Sequence, residues 1–164
     1  MRLCQIISAD KEIQSTGTWG SGKMARSDWP SRTAKAKAYK FGTAYTWRII
    51  KFTCKGLDCR VRVLFNEDKS IFRATFGVTI SGDTTVLCDY EWHGSEPGWH
   101  CHARCDEVND LDPSKNRFGS RRLPAAGTFH RRMEFGSVHG PMDEETAFNT
   151  ALSVFRIKPS GTLL

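Results

Sequence analysis

"SIFRATFGVTI", residues 70–80, places Phe72, Ala74, Phe76, Val78 and Ile80 on one side of an extended chain and Arg73, Thr75 and Thr79 on the other. Side chains alternate across a strand, so a period of two argues for a half-buried β-strand. The preceding run, "CRVRVLFN" (59–66), repeats the pattern with Val61, Val63 and Phe65 against Arg60, Arg62 and Asn66. "AYTWRIIKFTC" (44–54) is aromatic and β-branched, and "TVLCDYEWH" (85–93) and "GWHCHARC" (98–105) complete the series. The intervening "KGLD", "NEDK", "SGD" and "GSEPG" are turn-forming. Together these runs predict an antiparallel meander of about five strands over residues 44–105, apolar on one face and polar on an open second face.

Downstream, "PMDEETAFNTALSVFRI" (141–157) carries Pro and acids where a helix begins. Ala147, Phe148, Ala151, Leu152 and Phe155 form one helical stripe. The expected fold class is therefore α+β: one domain of residues 1–164, its sheet covered on one face by a helix at roughly 142–156. Residues 106–140 read as loop-rich, with one strand near 128–135. Residues 14–43 lack apolar periodicity and are rich in Ser, Thr, Gly, Lys and Arg, which predicts a basic irregular arm. Trp19 and Trp29 pin that arm to the body or stack on bases; burial is the commoner fate of an aromatic ring.

Charge is unevenly spread. The chain of 164 residues carries +6, but residues 1–60 hold 12 Lys/Arg against 4 Asp/Glu (net +8), and residues 61–164 hold 12 against 14 (net −2). A basic front half attracts a polyanion, nucleic acid above all and RNA in particular, or an acidic protein partner. A hydrophobic fraction of 39% is that of a folded chain, and the sequence holds neither an 18-residue apolar run nor a recognisable signal peptide. A cytoplasmic protein with no membrane segment is expected, and its six cysteines are then reduced thiols, core side chains or metal ligands.

The richest stretch is "EWHGSEPGWHCHARC" (91–105). Strand parity sorts it. Val86, Cys88, Tyr90 and Trp92 share one face with Trp99, Cys101, Ala103 and Cys105; Leu87, Asp89, Glu91 and His93 share the other with His100, His102 and Arg104. Two hairpin registers preserve this sorting, one pairing Glu91 with His100 and Asp89 with His102, the other pairing His93 with His100 and Glu91 with His102. A mixed Cys/His zinc site within this hairpin would need ligands from both faces of one sheet, which bonds of about 2.0–2.3 Å do not span. An inner zinc cluster of Cys54, Cys59, Cys101 and Cys105 is the alternative, with spacings unlike those of zinc knuckles.

The polar row offers two chemistries. His100 and His102 with the carboxylate of Asp89 would bind a divalent metal that activates water. Alternatively, Asp89, Glu91, His93, His100 and His102 would supply acid and base across a phosphodiester, with Arg104, Arg62, Arg73 and Arg60, and Lys35 and Lys37 of the arm, holding phosphate. Two rivals accompany this expectation of an RNA phosphodiesterase: a non-catalytic subunit that binds nucleic acid or protein, and a plain polar sheet surface of cross-strand charge pairs. "GSGK" (20–23) lacks the phosphate-loop spacing, and "DEVNDLD" (106–112) lacks the Gly and Glu of a calcium loop.

Overall fold

A computed structural model describes residues 3–32, 35–93, 96–103, 121–123 and 142–159, with backbone alone at 96–98, 103 and 121–123. Helix α1 (Leu3–Ser8) is followed by strands β1 (Glu12–Ser15), β2 (Gly20–Ala25), β3 (Ala38–Cys54), β4 (Leu57–Asn66), β5 (Ile71–Ile80), β6 (Asp83–His93), β7 (Glu96–Ala103) and β8 (Arg121–Leu123), and by helix α2 (Glu144–Val154). The eight strands form one antiparallel sheet in the order β1-β3-β4-β5-β6-β7-β8, with β2 also pairing β3. The meander is as expected, but among the described residues the sheet has eight strands rather than about five. Among the described residues, no helix is long and apolar enough to cross a membrane.

Local chemistry sets the hairpins. Lys55 and Gly56 join β3 to β4, and Ser81 and Gly82 join β5 to β6, all four at positive φ (49°, 76°, 51° and 75°). Two-residue turns with both centres at positive φ match the right-handed twist of the strands they connect. The β4–β5 loop is closed by Ser70 N–H donating to Glu67 O (2.9 Å) and Lys69 N–H to Asn66 Oδ1 (3.0 Å).

The apolar row forms the main core. Phe52, Cys59, Val61, Val63, Phe72, Ala74, Phe76 and Val78 are buried in one cluster with Ile6 of α1 and Ala147, Ala151, Leu152 and Phe155 of the α2 region. The Phe76 and Phe155 rings meet edge to face at 5.3 Å. Asp143 caps α2, its Oδ1 accepting from Thr146 N–H at 2.7 Å. Short α1 lies in "MRLCQIISADKE", a start that reads only as an apolar run.

Three expectations are corrected. The arm is not irregular: it supplies β1, β2 and the first residues of β3, and Trp29 is only 4% exposed. Nor is the second sheet face open. Met24, Trp29 and Ile49 form a second buried cluster there, joined by Tyr39, Phe41, Trp47 and Val86. The chain at 28–32 is fastened across β4–β6 by Arg60 Nη1 donating to Asp28 O (3.0 Å), Thr84 N–H to Pro30 O (2.8 Å) and Arg32 N–H to Asp83 Oδ1 (3.0 Å). Finally, β6 is not regular. Phe76 faces Cys88 but Gly77 faces Val86, so Leu87 is an extra residue, a β-bulge. The bulge moves Leu87 into the main core beside Cys88 and Val86 to the second cluster, the reverse of strict parity.

Candidate metal centre

Above the bulge, parity holds and builds the site. Pairing places Arg73 opposite Glu91 and Glu91 opposite His100, one row across β5, β6 and β7. Thr75, Asp89 and His102 form the next row. This is the first of the two registers expected, and a further irregularity between Glu91 and His93 turns the end of β6.

Glu91 is the hub. Its side chain is 6% exposed, and both Nε and Nη2 of Arg73 reach Oε2 at 2.5 Å. The other oxygen, Oε1, faces three imidazoles: His102 Nε2 at 3.1 Å, His100 Nε2 at 3.5 Å and His93 Nε2 at 3.8 Å. The rings pack edge to face, with centroids 5.0 Å apart for His100–His102 and 5.1 Å for His93–His100. His100 is fully buried and the other two are about one-quarter exposed.

Around a divalent ion with bonds of about 2.0–2.2 Å, neighbouring ligand atoms sit roughly 3–3.5 Å apart. The Glu91–His102 and Glu91–His100 separations have that size. One ligand atom from each of Glu91, His100 and His102 lies within 4.8 Å of the others, and this is the one group of three or more such side chains among the described residues. Two imidazoles and a carboxylate leave coordination positions open for water or substrate. With an ion bound, Arg73 would be the outer contact that orients the Glu91 carboxylate.

Asp89, expected as the third ligand, is engaged elsewhere: its Oδ1 accepts from Thr75 Oγ1 at 2.5 Å, and Arg62 Nη2 donates to that same Oγ1 at 3.3 Å. Arg62 lies 5.1 Å over the Trp29 ring and 5.5 Å over Phe41, and burial pushes its pKa down. Arg60 is buried as well, paired to Asp58 at 3.0 Å. Neither guanidinium presents a surface for phosphate. Lys35 and Lys37 are exposed, and Arg104, like His130 and His139, lies outside the described residues. So does Cys105 of the expected thiol cluster. Cys54 and Cys59 sit in the core near the β3–β4 turn, where burial pushes the Cys59 thiol up to about 12. Cys101 instead takes a hydrogen bond from Cys88, which lowers its pKa.

Beside the hub lies a cavity of about 730 Å³, lined by Phe41, Tyr45, Lys69, Arg73, Glu91, Trp92 and His93, with Leu64, Ile71 and Phe72. Phe41, Tyr45, Lys69 and Trp92 had no place in the sequence-derived site. Their only signal is aromatic residues among lysines, scattered over three segments that pairing brings together. No protein-family model matches the chain, and no curated protein or solved structure matches it.

Proposed function

We propose that the protein is a metal-dependent phosphodiesterase acting on nucleic acid, with RNA the favoured substrate. One observation carries this reading: three imidazole nitrogens converge on a single carboxylate oxygen in the wall of a cavity. Glu91, His100 and His102 would hold a divalent ion of the zinc or manganese type, which suits imidazole and carboxylate donors. Such an ion would lower the pKa of a bound water and would neutralise charge developing on phosphate oxygens. Lys69 and Arg73 would place the phosphate, and the exposed lysines of the front half would attract the polyanion.

His93 and His102, both partly exposed, also support a metal-free version in which they share acid and base roles. The test incubates wild type, Glu91→Gln and His102→Ala with RNA and DNA, with and without EDTA. Turnover abolished by EDTA and by both substitutions is expected. Turnover that persists in EDTA but fails in His102→Ala selects the acid–base version. No turnover under any condition overturns the enzyme reading, and salt-sensitive binding that survives both substitutions then marks a binding subunit.

A further inference from the structure

We propose that the 730 Å³ cavity is a subsite for one unpaired nucleotide, so that the substrate is single-stranded rather than duplex. Its reaction rests on the metal-dependent reading above; its ligand rests on the cavity alone. The volume falls within the roughly 300–1,000 Å³ of small-ligand sites. Phe41, Tyr45 and Trp92 line it with aromatic rings, the side chains on which bases stack whatever their sequence.

Charge selects an anionic ligand. The lining holds two permanent cations, Lys69 and Arg73, and one acid, Glu91, whose Oε2 Arg73 already occupies. The Lys69 ammonium stands 6.0 Å from the Tyr45 ring centroid, so an aromatic face and a cation adjoin in one wall. Arg73 turns Nε and Nη2 to Glu91 and keeps its side chain 45% exposed, which leaves Nη1 for a second anion. A ring joined to a phosphate satisfies both features; a fatty acid satisfies only the charge.

A base that is paired and stacked in a duplex cannot enter such a cavity without being extruded.

The full chain in EDTA is titrated with UMP, AMP, orthophosphate and dodecanoate, and with a 12-nucleotide RNA as single strand and as duplex, at constant salt. Binding of both nucleotides but not of orthophosphate or dodecanoate is expected. So is a preference of about tenfold or more for the single strand, the size of one stacked base. Tyr45→Ala and Lys69→Gln should each weaken single-strand binding several-fold, with Tyr45→Phe restoring it. Equal affinity for duplex and single strand, or Tyr45→Ala and Lys69→Gln both without effect, overturns the proposal, as does dodecanoate binding without nucleotide binding. Because EDTA removes metal, and His102→Ala is expected to keep nucleotide affinity while losing metal, failure of the metal centre is read separately.

Discussion

Gly77 shows how one residue decides whether the second sheet face is covered. A Cβ built there would stand 2.8 Å from Thr84 Cγ2 and 2.9 Å from the Trp29 ring. The glycine sits at the β6 bulge, and its missing side chain lets the indole approach the strand closely. Gly77→Ala should therefore destabilise the protein by about 1–3 kcal/mol, the usual cost of overpacking a tight contact. Urea unfolding checks this, and the cost should shrink in a Trp29→Ala background, where the ring contact is gone and only Thr84 Cγ2 remains; an undiminished cost would place the strain at Thr84 or in the strand itself. At the same scale, the site was half legible. Parity placed Glu91, His100 and His102 on one face from sequence alone, but left two registers open, of which the structure adopts the one that pairs Glu91 with His100. The choice of Glu91 over Asp89 as hub was not legible, because it depends on Thr75 taking Asp89 and on His102 reaching diagonally to Oε1.

Among elements, long regular strands and the C-terminal helix were legible because burial forces their period. β1, β2 and the start of β3 were not. Their residues, "EIQS" and "GSGKMA" among them, are too short or too Gly-rich to carry a period, and pairing with the 17-residue β3 makes them strands. The bulge escaped for a related reason: Leu87 and Val86 are both apolar, so the sequence does not mark which one slips. α2 offers a prediction with a defined sign. Its cap carboxylate, Asp143, is held below the ordinary 3.8 first by the Thr146 backbone N–H. A carboxylate depressed in the folded state stabilises above its unfolded pKa, and that contribution is lost as pH falls through the lower folded value. Asp143→Ala should thus lower the melting temperature at neutral pH, by an amount that narrows as pH drops below 3.8. Thermal melts of both proteins across that range measure it; a gap that stays constant would show that the carboxylate charge contributes nothing to the cap.

For the whole molecule, a metal ion held by Glu91, His100 and His102 would be a crosslink between sheet strands. Its ligands come from β6 and β7, and the arginine that orients Glu91 comes from β5. An ion that binds this arrangement and not the unfolded chain stabilises the fold by about 2.7 kcal/mol at a hundred times its Kd. For a domain of this size, that is a rise of roughly 5–10 °C in Tm. Glu91 and His102 are close in sequence, so weak binding to the unfolded chain places the expected rise toward the lower end. Zinc, manganese, cobalt and nickel are each titrated against the apo protein while Tm is followed. At least one should raise Tm in a saturable, EDTA-reversible way, and His102→Ala should abolish the rise. Arg73→Gln should move the midpoint to about 10–100-fold higher metal, as expected for loss of an outer contact. His93→Ala should keep most of the rise, because Glu91, His100 and His102 suffice as ligands. If none of the four metals moves Tm, the convergence on Glu91 is a hydrogen-bonded polar cluster and not a metal centre.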